Sequence, residues 1–232
     1  MGKQHHIMSI GAHALDAELM AGPVSIKYTK EGHKASFVHI TRGERGNKKK
    51  TPEEYGKQLE VEMPKVAEAM GGKSIWTGYV AGQLPPQEEM EMDLCKLLRK
   101  EKPDIVVTHW RGSLHPRHVL THDMVLTAVQ MAENSNIETD EEPHKVDFVY
   151  FGENCEDLNG FIPQVYVDIH DTFDQWFEAV SHYELFRANE ANVPYQDYYR
   201  TMATIRAIEV GNRNLASKAL MPATRTQEYL HF

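Results

Sequence analysis

The chain has 232 residues, and its 25 lysines and arginines stand against 34 aspartates and glutamates, which gives a formal net charge of −9. This acidic balance argues against general binding of nucleic acid or of anionic membranes, because both require a basic surface. No apolar run reaches the roughly 18 residues of a membrane span. No secretory signal precedes the first apolar run, so we expect a cytoplasmic protein whose two cysteines are free thiols.

Short apolar runs alternate along the chain with longer stretches of helical spacing. Strands are predicted at residues 7–12, 35–41, 74–79, 104–110, 146–151 and 165–169. Helices are predicted at residues 16–32, 52–70, 87–100, 117–133, 172–187 and 194–214. This alternation is typical of right-handed βαβ units around a parallel sheet, so we predict one α/β domain covering residues 1–232.

Two polar side chains follow the first predicted strand. The segment GAHALDAE at residues 11–18 places His13 and Asp16 three residues apart at a strand-to-helix turn. Ligands of parallel α/β sheets bind beyond the carboxyl ends of the strands, and this spacing can aim an imidazole and a carboxylate at one point there. The alternative interpretation is a solvated loop histidine followed by a helix-capping aspartate.

A cluster of histidines follows the strand predicted at residues 104–110. The segment WRGSLHPRH contains His115 and His118, and His109 and His122 lie on either side of that pair. One histidine in such a place is usually a surface or core residue. Four of them at the end of a neighbouring strand favour a metal centre.

The predicted metal ligands are His13, Asp16 and His118. Two imidazoles and one carboxylate are a common catalytic zinc set, in which the fourth position is left for water. Zinc lowers the pKa of that water and polarises a bound carbonyl, so a hydrolase follows. Fe(II) or Mn(II) accept the same ligand types and stay open as alternatives.

The segment TRGERG at residues 41–46 ends another strand and is interpreted as a rim of the same pocket. Its Arg42, Glu44 and Arg45 are candidate polar contacts, although such a turn is more often a plain loop. Trp110 and Arg117, beside the histidine cluster, are further candidates for binding substrate. Residues 153–157, which follow another predicted strand, are candidates for the lining of the pocket.

The motifs taken together resemble the PIG-L/LmbE family of zinc-dependent N-deacetylases, which remove acetyl groups from N-acetylglucosamine-containing substrates and related acylated amines. Residues 12–18, AHALDAE, are similar to the family's Ala-His-Pro-Asp-Asp-x-Glu. Residues 115–118, HPRH, resemble its His-Pro-Asp-His, and residues 41–46 resemble its Thr-x-Gly-Glu-x-Gly.

The resemblance implies a Rossmann-like three-layer sandwich with a mostly parallel sheet. It implies that His13, Asp16 and His118 bind Zn²⁺, and that His115 is a second catalytic imidazole that stabilises the oxyanion or protonates the leaving amine. The implied substrate is a small molecule, an N-acylated amino sugar or a related amine. The family resemblance also implies homo-oligomers.

Three departures from the family pattern lie near the expected site. Leu15 stands where the family has the aspartate that acts as general base, and loss of such a base commonly lowers the rate by about 10²–10⁴. Arg117 replaces the aspartate of the second motif, and residues 215–220 depart from the family's Tyr-Ala-Glu-x-Phe segment. A substitute base could be Glu44, or His115 acting in both proton transfers.

Two hypotheses therefore stay open. The first is a zinc-dependent hydrolase with an atypical or weakened base. The second is a metal-binding pseudoenzyme of the same fold, and a purely structural site would need a fourth protein ligand, which His109 or His122 could supply. A nucleotide-binding Rossmann protein is a weaker alternative, because no GxGxxG follows the first strand.

Overall fold

Seven strands form one mixed sheet in the computed structural model, which describes residues 3–187 and 193–223. The strands are β1 (His6–Gly11), β2 (Lys34–Thr41), β3 (Lys73–Tyr79), β4 (Ile105–Thr108), β5 (Phe148–Gly152), β6 (Val165–Asp168) and β7 (Ser217–Pro222). The helices are α1 (Asp16–Lys30), α2 (Pro52–Ala69), α3 (Gln87–Glu101), α4 (Pro116–Glu133), α5 (Phe173–Val180), α6 (Glu184–Arg187) and α7 (Tyr195–Glu209).

The order of the strands creates a crevice at the middle of the sheet. The order is β3-β2-β1-β4-β5-β7-β6, and β1 to β5 pair in parallel. The chain runs from β1 to one edge through β2 and β3, and then crosses back to β4 on the other side of β1. Ligands of open α/β sheets bind where the strand order reverses in this way, so the ends of β1 and β4 are the expected position of a site.

Helices cover both faces of the sheet because side chains on the central strands alternate between two apolar clusters. On β2, Phe37 packs in the cluster that contains residues of α1, α2 and α5, whereas Val38 packs in the cluster that contains residues of α3 and α4. Every residue of β1 is buried, as expected for a strand covered on both faces. The predicted three-layer α/β fold with a mostly parallel sheet is confirmed.

The C-terminal strand β7 is absent from the sequence-based prediction. It lies between β5 and β6 and is antiparallel to both. Its sequence, SKALMP, contains no β-branched or aromatic residue, so its composition does not indicate a strand. Residues 215–220, which depart from the family's C-terminal motif, therefore contribute to this strand.

Several predicted boundaries are wrong by a few residues. The helix predicted at 172–187 is two helices, α5 and α6, whereas α1 is continuous although it contains Pro23. The strand predicted at 104–110 ends at Thr108, so His109 and Trp110 belong to the following loop. None of the described helices is long and apolar enough to cross a membrane.

Gly11 allows α1 to begin directly against the end of β1. A Cβ atom added at Gly11 would lie 2.7 Å from the Cβ atom of Asp16 and 2.7 Å from the backbone nitrogen of Ala17. Any larger residue would therefore push the start of α1 away from the sheet. This close approach brings the Asp16 side chain to the end of the central strand.

Candidate metal centre

The Asp16 carboxylate lies at the centre of the site, in the first turn of α1. Its Oδ2 atom is 3.2 Å from Nδ1 of His13, 3.4 Å from Nε2 of His118 and 3.5 Å from Nε2 of His109. Oδ2 also accepts a hydrogen bond of 2.9 Å from the backbone N–H of His13, which fixes the turn between β1 and α1. The structure thus brings together the three residues that the sequence selects as metal ligands.

The spacing of these donor atoms fits a small divalent cation. One ligand atom from each of His13, Asp16 and His118 lies within 4.8 Å of the other two. Tetrahedral zinc with bonds of about 2.0–2.1 Å holds its ligand atoms roughly 3.3 Å apart. The separations of 3.2 Å and 3.4 Å from Asp16 to the two imidazoles are close to that value.

Asp157 orients two of the imidazoles, a role that its place in the segment 153–157 after a predicted strand does not indicate. Its Oδ1 accepts a hydrogen bond of 2.8 Å from Nδ1 of His118, and its Oδ2 accepts one of 2.6 Å from Nδ1 of His109. Asp157 is fully buried, in the loop that follows β5. Because His118 donates from Nδ1, its Nε2 atom faces Asp16 and becomes the metal-binding atom once it loses its proton.

His109 and His122 have other partners, although the sequence left both open as a fourth ligand. Nε2 of His109 accepts a hydrogen bond of 3.0 Å from the backbone N–H of Ala12, so its lone pair is occupied. Nδ1 of His122 lies 2.9 Å from the carbonyl oxygen of His109, and the ring packs against Phe151 at 4.8 Å between centroids. These contacts favour a triad with an open fourth position over a closed structural site.

The charges of the site shift several pKa values. Burial raises the pKa of Asp16, but the charge of His118 and the contacts with the surrounding imidazoles outweigh it and hold that pKa well below its usual range. Burial lowers the pKa of His118, but Asp16 and Asp157 outweigh it and raise the pKa to about 10. The two carboxylates of Asp16 and Asp157 thus favour a positive charge at His118, and a bound metal cation would supply positive charge at the same place.

His115 lies beside the triad at the N-terminal end of α4. Its ring stacks on His118 at 4.6 Å between centroids and meets the His13 ring edge-on at 4.9 Å. Its Nδ1 atom accepts a hydrogen bond of 3.2 Å from the backbone N–H of Arg117. Burial, together with the nearby His118 and His13, lowers the pKa of His115 to about 4. A neutral ring that accepts at Nδ1 carries its proton at Nε2, so His115 is a hydrogen-bond donor.

The site opens into a cavity of about 650 Å³, called here the site cavity. Its lining combines polar groups of the site with apolar and aromatic side chains. The polar group at the triad is His13, Asp16, His115, His118, Asn154 and Glu156. The apolar and aromatic lining includes Leu15, Leu19, Tyr55, Leu185 and Tyr195.

Glu156 lies in the same segment, and with Asn154 it lines the cavity as the sequence suggests for residues 153–157. Its Oε2 atom lies 3.7 Å from Nε2 of His118, and its side chain is partly exposed to the site cavity. Burial and the charges of Asp16 and Asp157 raise its pKa, while His118 lowers it. Its only sequence signal is its place after a predicted strand, which gives no indication that the loop folds back over His118.

The remaining predicted contacts lie farther from the triad. Glu44 is buried, and its Oε1 accepts a hydrogen bond of 2.8 Å from the backbone N–H of Ala81. Trp110 donates a hydrogen bond of 2.9 Å to the carbonyl oxygen of Asn159. Among the described residues, the lining of the site cavity includes Arg42 but not Glu44, Trp110 or Arg117. The catalytic and substrate-binding roles of all four stay predictions.

Comparison with known proteins identifies the family. Residues 8–129 match the family described as GlcNAc-PI de-N-acetylase, PIG-L. The match covers more than half of the chain and includes the triad and His115. The chain belongs to the PIG-L family. The resemblance inferred from the motifs is confirmed.

A relative and two solved structures extend this comparison. Mycothiol S-conjugate amidase from Streptomyces coelicolor is 25% identical over 161 residues, which are 58% of this chain and 55% of that protein. The chain therefore spans about half the length of the curated relative it matches. GalB, the 4-carboxy-2-hydroxymuconate hydratase from Pseudomonas putida KT2440, superposes with a TM-score of 0.82 at 18% identity, over 98% of this chain and 100% of that chain.

The second structure is the N,N'-diacetylchitobiose deacetylase from Pyrococcus horikoshii. It superposes with a TM-score of 0.78 at 21% identity, over 94% of this chain and 83% of that chain. At these identities the two structures establish the PIG-L fold, and they leave the reaction to be argued from the site.

Leu15 is where this member departs most from the PIG-L motif. It precedes α1 with a φ of +83°, a left-handed conformation that costs a leucine roughly 1–2 kcal/mol. Its side chain is 2% exposed, packs in the cluster of α1, α2 and α5, and lines the site cavity. Aspartate tolerates this backbone conformation better than leucine does, so the local geometry fits the residue that the family motif has here.

Proposed function

We propose that this chain is a zinc-dependent hydrolase that cleaves the bond between an acyl group and the nitrogen of a small amide, with N-acylated amino sugars as the first substrate class to test. One observation carries the proposal: two imidazoles and a carboxylate with metal-ligand spacing lie beside a donor imidazole in the lining of a large cavity. Membership of the PIG-L family and the similarity to an amidase support the same reaction.

His13, Asp16 and His118 would hold the ion. Bound Zn²⁺ would supply a Lewis acid for the substrate carbonyl and a water of lowered pKa at the fourth position. Asp157 contributes by fixing the ring of His118, because its carboxylate accepts the Nδ1 proton and leaves Nε2 as the donor atom.

His115 is assigned the role of hydrogen-bond donor to the developing oxyanion. Its Nδ1 accepts from the backbone of Arg117, so its Nε2–H is the group available to the cavity. The same proton can then pass to the leaving amine. This geometry disfavours His115 as the first base, because Nε2 holds a proton before the reaction begins.

Glu156 is the better-placed substitute for the missing aspartate. It lines the site cavity beside His118, whereas the Oε1 atom of Glu44 is bound to the backbone of Ala81. A general base must lie within hydrogen-bond reach of the water it deprotonates, directly or through one further water. We therefore add Glu156 to the bases proposed from the sequence and rank it first.

A second candidate function is metal binding without efficient hydrolysis. Leu15 favours it, because leucine cannot accept a proton and the family motif has aspartate at this position. Both candidate functions predict a bound metal ion, and only the first predicts turnover of an amide. Metal content and turnover must therefore both be measured.

The test measures the metal content of the purified protein and the release of amine from N-acetylglucosamine and other N-acetyl amines. We expect about one zinc per chain and turnover that is lost in His118→Ala and retained in His170→Ala, a control histidine outside the site. Bound metal without turnover of any amide would favour the second candidate. Because GalB is named as a hydratase, an unsaturated carboxylate is included as a third probe. Protein without a divalent ion would contradict both candidates.

A further inference from the structure

Basic side chains from the loop that follows β2 line the site cavity together with the triad. Arg42, Arg45, Lys48 and Lys49 all lie between β2 and α2, in a segment called here the basic loop (residues 42–49), and all four line the cavity. The only acidic residues in the described lining are Asp16 of the triad and Glu156, which lies beside His118. A chain with a net charge of −9 therefore gathers positive charge in the lining of one cavity.

The backbone of the basic loop is held in place by its own hydrogen bonds. The side-chain Oδ1 of Asn47 accepts from the backbone N–H groups of Lys49 and Lys50 at 2.8 Å and 2.9 Å. The backbone N–H of Gly46 donates to the carbonyl oxygen of Gly43 at 2.9 Å. These contacts fix where the basic side chains start, so their positions around the cavity follow from the fold.

The basic residues of this segment divide into two kinds. Arg42 is half-buried, pairs with Glu60 and stacks over Trp76 at 4.3 Å, so it anchors the loop to α2 and β3. Arg45, Lys48 and Lys49 are exposed where they line the cavity. Exposed cations around a concave opening attract anions from solution, and the effect weakens as salt increases.

We propose that the natural substrate carries an anionic group, a carboxylate or a phosphate, that Arg45, Lys48 and Lys49 bind while the amide lies at the triad. Leu19, Tyr55 and Tyr195 line the same cavity, and we assign them the contact with the uncharged part of the molecule. Arginine and lysine bind both oxyanions through charge-assisted hydrogen bonds, so the shared chemistry is that of an oxyanion. The inference rests on the proposed function, because it assigns the substrate class of the same site.

The test compares substrates that differ in charge and share the amide. One pair is N-acetylglucosamine 6-phosphate and N-acetylglucosamine, and the other is N-acetylglycine and N-acetylglycinamide. In the zinc-loaded protein we expect the charged member of at least one pair to have a kcat/KM about tenfold higher or more, equivalent to about 1.4 kcal/mol. Preference in the first pair identifies phosphate, and preference in the second identifies carboxylate. Equal rates within both pairs would overturn the proposal.

Matched variants show whether the basic loop causes the preference. The variant Arg45→Gln/Lys48→Gln/Lys49→Gln should lose most of it. The control Lys34→Gln/Lys65→Gln/Lys145→Gln has the same net charge and changes three exposed lysines outside the cavity lining, so this variant should keep the preference for the charged substrate. A preference that survives in the first variant would assign anion recognition elsewhere and overturn the proposal. Thermal unfolding of both variants confirms that they fold.

A binding measurement separates this inference from the proposed hydrolysis. Inorganic phosphate and N-acetylglycine are titrated by calorimetry into protein stripped of metal, because carboxylates and phosphates also bind zinc directly. We expect binding that weakens with added salt and falls about tenfold or more in the loop variant. If this holds and no amide is hydrolysed, only the proposed function fails. If amides are hydrolysed without charge preference and the anions do not bind, only the present inference fails.

Discussion

The carboxylate of Asp157 accepts a hydrogen bond of 2.8 Å from Nδ1 of His118, although 39 residues separate them in the sequence. The same carboxylate holds His109 through its other oxygen at 2.6 Å. Both oxygens are therefore used to fix imidazoles. Burial raises the pKa of Asp157, but the hydrogen bonds from His109 and His118 outweigh burial and lower this pKa to about 2. A carboxylate held ionised behind a histidine is the arrangement that orients metal ligands in many zinc proteins.

Substitution of this aspartate should weaken metal binding. In Asp157→Asn the side chain keeps one acceptor oxygen and gains an amide that faces an imidazole N–H. We expect the zinc affinity to fall about 10–100-fold, as for other partners that orient metal-binding histidines. Competition with a chromophoric chelator measures this directly. Asp123→Asn, an exposed change on α4, is the matched control, and equal affinities for the two variants would contradict the assignment.

Restoring a carboxylate at position 15 tests whether the missing base is the main defect. In Leu15→Asp we expect amide hydrolysis to increase by about 10²–10⁴, because the aspartate would face the site cavity and could accept the proton of the attacking water. The left-handed backbone at this position, with φ of +83°, should accept aspartate without added strain.

Leu15→Asn is the matched control for that gain. Asparagine has the same shape and the same tolerance of the left-handed conformation, and it does not act as a base. A gain in Leu15→Asp that is absent in Leu15→Asn would locate the defect in proton transfer. Equal activity of both variants, with zinc still bound, would show that the defect lies elsewhere.

The parts of the site that the sequence predicts are those carried by short, local patterns. His13 and Asp16 belong to one turn, and His118 follows a strand with a clear apolar run, so strand ends and residue types are sufficient to select them. Asp157 and Glu156 lie in an irregular loop after β5, and only the folding of that loop over α4 gives them a role. Backbone contacts such as Leu114 N–H to the carbonyl oxygen of Glu156, at 2.9 Å, produce this arrangement, and they leave no periodic signal.

The parts of the fold that the sequence predicts are likewise those with a local pattern. The first five strands alternate with helices, so periodicity and the right-handed crossover rule predict the parallel part of the sheet. The strand β7 depends on a long return of the chain to the gap between β5 and β6, and its six residues lack strand-forming side chains. Pairing with two neighbours, a non-local effect, decides its conformation.

Metal binding should release a proton from His118. In the metal-free protein the pKa of His118 is raised from 6.5 to about 10, whereas the unfolded chain has the ordinary value. The protonated imidazole therefore stabilises the metal-free fold below pH 6.5, and this contribution is lost as the pH rises towards 10. Because zinc requires the neutral ring, the apparent zinc affinity should rise about tenfold per pH unit over this range. Calorimetry in buffers of different ionisation enthalpy counts the protons, and binding at pH 8 without proton release would contradict this.

Two glutamates should respond differently when each is neutralised. Glu156 lines the site cavity 3.7 Å from Nε2 of His118, so Glu156→Gln should lower kcat by about 10²-fold or more while the fold and KM change little. Glu44 is buried, and its Oε2 atom lies 4.0 Å from Nε of Arg42. Glutamine would keep the acceptor for Ala81 N–H but turn an amide NH2 towards that cation, so Glu44→Gln should chiefly lower the free energy of unfolding, by about 1–3 kcal/mol. Steady-state kinetics and chemical unfolding on both variants separate the roles. A large loss of kcat in Glu44→Gln with normal stability, and full activity in Glu156→Gln, would return the role of base to Glu44.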